Sequence, residues 1–341
     1  MNPDVISLLM NHGGPILRWR TATELTHDAS LYDHEALRQE LLACPQVRYW
    51  LSLLGSGPVH HSKDTSAENA LAKCCEHGLR AGMAELDDRA LPYCAVSPGE
   101  AYHQEALIIV PFLVRAGFTA EPHLAAWMQQ RVELLYGLAK RRDYDLYMDN
   151  IERKLLPASQ QMLHGQPKLF YKQRFNHHWG YLGLPTCYDL YALAYLPKDE
   201  PSLRQKVKAI VTYLLQPAFQ ETPGGYIWNP QLHRPYAAGR VFLACLPTKD
   251  QPEKLLLFME MLANLEVGRA SAWFRQGLAH LETFNTGQDT YSFPSRYLSE
   301  KHSYYLYAGM HMGLGEYPRS PRALELESTF RMAKLRQLLG S

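Results

Sequence analysis

His60-His61-Ser62-Lys63-Asp64 is followed closely by Glu68, so two imidazoles and two carboxylates fall within nine residues. Such a set can move protons, because a carboxylate orients an imidazole that then acts as general base or acid. Two histidines and a carboxylate can also bind zinc or iron. The spacing matches no metal motif, however, and adjacent His side chains in a loop often point apart. No metal and no cofactor are therefore expected. Capping and surface exposure are the plain reading of the same residues.

A second group lies in Tyr171-Lys172-Gln173-Arg174-Phe175-Asn176-His177-His178-Trp179, the densest polar-aromatic run of the chain. His178 joins His60, His61, Asp64 and Glu68 as a proton-transfer candidate. Arg174 and His177 are candidate substrate contacts at a cavity rim. An exposed loop pinned by Trp179 would look the same.

Tyr226, Trp228, His233, Tyr236 and Arg240 form a third group. On a helix expected from 230 to 246, Tyr236 and Arg240 share a face. Arg240 could grip a phosphate or carboxylate in a planar fork, or stack on an aromatic ring. The fourth group follows the turn-rich Asn285-Thr-Gly-Gln-Asp run, read as a loop, and includes Arg296 and Tyr304.

The elements that must position these residues read as helical almost throughout. Thr65-Ser66-Ala67-Glu68 reads as a capping box that opens a helix. Ala67, Ala70, Leu71 and Cys74 give that helix an apolar face with Glu68 at its edge, and Gly78 is its stop. Further helices are expected at 35–43, 47–54, 100–116, 122–140, 185–196, 201–215, 252–265, 271–284, 300–313 and 321–338, with a broken one at 151–171. Prolines recur at first-turn positions, where a missing amide proton costs nothing. Strand alternation is nearly absent.

Short aromatic-acid segments recur at a nearly constant step. Tyr144-Asp-Leu-Tyr147 returns as Tyr188-Asp189-Leu190-Tyr191, 44 residues later. His60, Tyr102, Tyr144, Tyr188 and His233 follow one another at 42, 42, 44 and 45 residues. This step suits a hairpin of two helices. Tyr102, Tyr188 and Asp189 thereby become candidate contacts. The expected fold is all-α: a single α/α toroid of about five to six helical hairpins around a central cavity, with 1–33 as an extension, 34–315 as the hairpins and 316–341 as a last helix. An open solenoid with a concave groove is the alternative.

The chain has 341 residues, 46% hydrophobic, and a formal charge of +1. No basic field is present to hold nucleic acid by charge. Six cysteines form no CxxC pair and read as reduced, buried thiols of a cytoplasmic protein. No signal peptide and no membrane span are expected.

Gln220-Glu-Thr-Pro-Gly-Gly225-Tyr-Ile-Trp228 resembles the repeat turn of terpenoid cyclases, in which a Gln precedes Gly-x-Trp, with Gly225 and Trp228 one residue further apart than in that pattern. With the hairpin period, the chain resembles the terpenoid cyclase and protein prenyltransferase α/α-toroid superfamily over roughly 34–315. That resemblance implies an isoprenoid-like ligand in the toroid centre. The Asp-x-Asp-Asp and aspartate-rich motifs of those enzymes are absent, and Cys187-Tyr188-Asp189 reverses the Asp-x-Cys order of the prenyltransferase zinc site. The expected function is an enzyme that binds a small, partly apolar molecule and works by His and Glu/Asp acid–base chemistry. A carbohydrate-active α/α-barrel lyase or hydrolase, and a non-catalytic helical scaffold, are the alternatives.

Overall fold

Helices dominate the chain, in a computed structural model that describes residues 3–26, 29–95, 103–147, 183–229, 234–248, 250–316 and 321–340. The first half holds α1 (Pro3–His12), α2 (Pro15–Arg20), α3 (His34–Ala43), α4 (Pro45–Leu53), α5 (Ala67–Glu76), α6 (Ala84–Cys94), α7 (His103–Ala116) and α8 (Pro122–Arg141). The second half holds α9 (Cys187–Tyr195), α10 (Pro201–Leu214), α11 (Pro217–Gln220), α12 (Pro252–Ala263), α13 (Glu266–Arg269), α14 (Ala272–Glu282), α15 (Tyr305–Ala308) and α16 (Pro321–Gly340). Proline opens α8, α10 and α12 where the sequence places their starts, and it also opens α2 at Pro15 and α4 at Pro45, two residues before the start expected at 47.

All ten residues of α5 are buried. So are residues 106–116 of α7, 187–194 of α9 and 256–263 of α12. A helix that is buried all round belongs to the interior rather than to a surface layer. The neighbours follow in order: α5 lies against α4 and α7, α7 against α9, α9 against α12, and α12 against α14 and α16. Outside them, α8 runs along α10, and each keeps an exposed face.

The inner helices share a direction. Glu68, second in α5, hydrogen-bonds Tyr188, second in α9. Glu76, last in α5, meets Arg115, next to last in α7. Glu260, in the last third of α12, shares Arg331 with Glu76. The starts of α5 and α9 therefore lie at one end of the interior. The ends of α5, α7 and α12 lie at the other.

Three local readings need correction. The described part of the segment expected as a helix at 230–246, residues 234–246, is not helical. Gly225–Asn229 (β1) pairs antiparallel with Arg234–Ala238 (β2), so Tyr236 and Arg240 share no helical face. The aromatic and β-branched residues of that stretch favour a strand once a partner is present. The segment 300–313 holds only the four-residue α15, which ends at Gly309 in a left-handed conformation. The run 285–292 is a small hairpin, Asn285–Gly287 (β3) against Thr290–Tyr291 (β4). Tyr144 and Tyr147 follow α8 outside any helix, and the residues after Tyr147, with the helix expected at 151–171, lie outside the described residues.

Candidate functional site

The start of α5 is set by Ser66, not Thr65. The Ser66 side chain accepts from the Asn69 amide at 3.4 Å. Glu68 is thereby released from the capping box and turns back to the preceding loop. Its Oε1 accepts from His60 Nδ1 at 2.6 Å and from the His61 amide at 3.2 Å. Its Oε2 accepts from the Tyr188 hydroxyl at 2.8 Å. Glu68 is fully buried, and burying a carboxylate is costly unless it is hydrogen-bonded in this way. Burial and the nearby Glu68 carboxylate push the Tyr188 hydroxyl well up, so Tyr188 stays a donor.

His60 is the exposed member of this trio, with 29% of its side chain accessible. In the neutral ring a carboxylate on Nδ1 favours the proton there and leaves the lone pair on Nε2. Nε2 has no hydrogen-bond partner among the described residues. The ring stacks on Tyr304 at 4.8 Å and stands edge-on to Tyr307 at 5.7 Å, and Tyr307 in turn meets Tyr188 at 5.4 Å. The site is thus a histidine backed by a buried carboxylate and framed by three tyrosines.

Asn69, the next residue of α5, holds the two segments that carry these rings. Its Nδ2 donates to the carbonyls of His61, Lys63 and Ser303, and its Oδ1 accepts from the Tyr305 amide. One side chain therefore fixes the loop of His60 against the loop of Tyr304. Asp189 places Tyr188. It completes a capping box with Thr186 and takes a bidentate pair from Arg131 at 2.6 and 2.7 Å. Its oxygens are occupied, so it positions Tyr188 rather than reaching a ligand.

Asp64 lies to one side, accepting from His302 Nδ1 at 2.8 Å and from the Tyr49 hydroxyl at 3.4 Å. That contact raises the His302 imidazole above its ordinary range. His61 is exposed, and its Nδ1 accepts from the Lys63 amide. Arg240 donates to the Thr222 carbonyl, and Arg296 is exposed over the Tyr297 ring. Tyr226 is half-buried in β1. None of these three has a contact with the His60 trio. Tyr102, Arg174, His177, His178 and His233 lie outside the described residues, as do the side chains of Trp228 and Tyr236. Two clefts between α8 and α10, of about 440 and 550 Å³, hold none of the expected residues.

Sequence reasoning missed Tyr307, Asn69 and the charged layer at the other end of the inner helices. There Glu76 meets Arg115 at 2.5 Å, Arg331 at 2.7 Å, Arg20 at 3.4 Å and the Tyr305 hydroxyl at 2.6 Å. Burial pushes the Glu76 carboxyl up, but Arg115, Arg331 and Arg20 outweigh it and hold it well below the ordinary range. The signal was present: Arg115 ends an unbroken apolar run, and a lone charge there needs a buried partner.

The described residues contain no group of three or more His, Cys, Asp or Glu that could hold a metal. All six cysteines are buried and unpaired. Among the described residues no helix is long and apolar enough to cross a membrane. Comparisons with family models, with curated proteins and with solved structures return no match.

Proposed function

We propose that the chain is an enzyme that moves a proton to or from a small, partly apolar molecule, with His60 as the acid–base group. The hydrogen bond from His60 Nδ1 to the buried Glu68 carboxylate carries this reading. A carboxylate behind an imidazole fixes its tautomer, orients its ring and stabilises the imidazolium that forms on proton transfer. Tyr304 and Tyr307 offer flat apolar faces with polar tips, which suit a ligand of mixed character. Tyr188 anchors Glu68 rather than reacting.

The parallel inner helices and their outer neighbours support an α/α toroid with this site at one end of its centre. The resemblance of Gln220 to Trp228 to a terpenoid-cyclase turn belongs to the same proposal. Gln220 bridges the carbonyls of Leu214 and Ala244 and the amide of Leu246, so the turn is a structural clamp here.

The test is consumption of a small molecule from a dialysed, restored metabolite extract, followed by mass spectrometry. Wild-type protein should deplete one or a few compounds. His60→Gln should slow that by about 10²–10⁴-fold, the usual weight of a general acid or base. Equal depletion by both proteins, or none by either, removes the reading.

A further inference from the structure

Among the described residues, the buried cations Arg20, Lys73, Arg115, Arg131 and Arg331 each meet a carboxylate. Lys254 does not. It is 6% exposed, yet among the described residues it makes no ion pair and donates no hydrogen bond. Its ammonium is not sealed off, since Nζ is absent from the fully enclosed polar atoms that lack a partner. Lys254 is also the third residue of α12. A cation there faces the positive end of its own helix. Burial and helix position work against it, and the carboxylate of the adjacent Glu253 offsets burial only in part, without forming an ion pair; side chains kept under such conditions concentrate at functional sites.

Its surroundings tie Lys254 to the His60 site. Gly309, which ends α15, lies so close that a Cβ there would come within 2.9 Å of the Lys254 Cα and 2.5 Å of the Glu253 carbonyl oxygen. Tyr307, two residues earlier, touches His60 and Tyr188. On the other side Cys187, beside Tyr188, lies within the field of both Lys254 and Glu68. The starts of α5, α9 and α12 thus meet at this end. The leading amides of α5 and α9 already donate to the carbonyls of Pro58, Val59 and Phe242. The Lys254 ammonium remains as the donor without an acceptor.

We propose that Lys254 binds an oxyanion, a carboxylate or a phosphate, carried by the molecule on which His60 acts. The proposal rests on the acid–base reading for the identity of that molecule. The anion would supply the missing counter-charge at Lys254, while the apolar part lies along Tyr304 and Tyr307.

The experiment is thermal unfolding of the full chain in inorganic phosphate, in acetate and in chloride at matched ionic strength. Phosphate or acetate should raise the Tm of the wild type by several degrees over chloride, and whichever does so identifies the group. Lys254→Met and Lys254→Gln should lose that rise. In chloride, Lys254→Met should be at least as stable as the wild type, because it removes a charge that has no ion pair at a largely buried position. The effective anion should also slow carbethoxylation of His60 severalfold in the wild type and not in Lys254→Met. A lower Tm of both variants in chloride would make Lys254 structural and overturn the proposal. So would equal Tm values in all three salts, or an anion that stabilises without protecting His60. His60→Gln separates the two readings. A failed turnover test with an intact anion shift in that variant leaves the oxyanion site standing. Successful turnover without any shift removes it.

Discussion

Glu68 and His311 are both buried beside the same loop and behave differently because of their partners. Glu68 has three donors. His311 has one acceptor, the Ser303 carbonyl at 3.0 Å, and its Nδ1 has none. Burial, with Lys73 nearby, pushes the His311 imidazole down to about 4. The folded value lies below the ordinary 6.5, so the folded state binds fewer protons. The His311 contribution is therefore complete above pH 6.5 and is lost as pH falls toward 4. Glu327 works in the opposite sense. Burial pushes its carboxyl up to about 7, above the ordinary 4.5. Its charge is a burden at alkaline pH that protonation relieves as pH falls from 7 toward 4.5. Glu327→Gln should accordingly unfold at higher urea than the wild type at pH 8, by a few kcal/mol. The gain should shrink to nothing near pH 4.5, as measured by urea titration at each pH.

The helix α5 does three jobs along ten residues. Glu68 faces the site, Asn69 clamps two loops, and Glu76 joins the charged layer. Lys73 pairs with Glu300 and donates to the Gly313 carbonyl. Gly78 ends the segment with φ near +84°, where a Cβ would run into Trp19 at 2.8 Å. Asn69→Leu should leave the helicity intact while amide exchange quickens at 60–64 and 303–305. Unchanged exchange there would mean that the clamp contributes nothing. The existence of this helix and its polar approach were legible in the sequence, because a hydroxyl residue before an apolar run has local meaning, but the cap is Ser66 rather than Thr65 and Glu68 turns to the loop. His60, Glu68, Tyr188 and Tyr304 were chosen from residue type and spacing, and they do converge. The roles of Asn69 and Glu76 were not legible, since their partners lie 236 and 229 residues away, at Tyr305. The helix expected at 230–246 failed for a related reason. Its residues are decided by pairing with β1, which local periodicity does not register.

The molecule as a whole is organised between two ends. One gathers His60, Glu68, Tyr188 and Lys254 at the starts of inner helices. The other ties the same helices together through Glu76, Glu260 and the arginines from α2, α7 and α16. Such a layer is costly to bury and more costly to break, about 3–5 kcal/mol when one partner is removed. Glu76→Gln should lower the free energy of unfolding by roughly that amount in one cooperative urea transition, because four segments of the chain meet at one carboxylate. Circular dichroism of the wild type should be dominated by helix. A sheet content near a fifth, the ordinary share for soluble domains, would contradict the fold.

The proposed acid–base role of His60 depends on its tautomer, which the buried Glu68 carboxylate would set. That tautomer can be read from nitrogen chemical shifts of protein labelled with ¹⁵N-histidine. The proton should be on Nδ1 and Nε2 should be bare, and Glu68→Gln should shift His60 toward the opposite tautomer. A protonated Nε2 in the wild type, or a tautomer indifferent to Glu68→Gln, would contradict the assignment of His60 as the acid–base group.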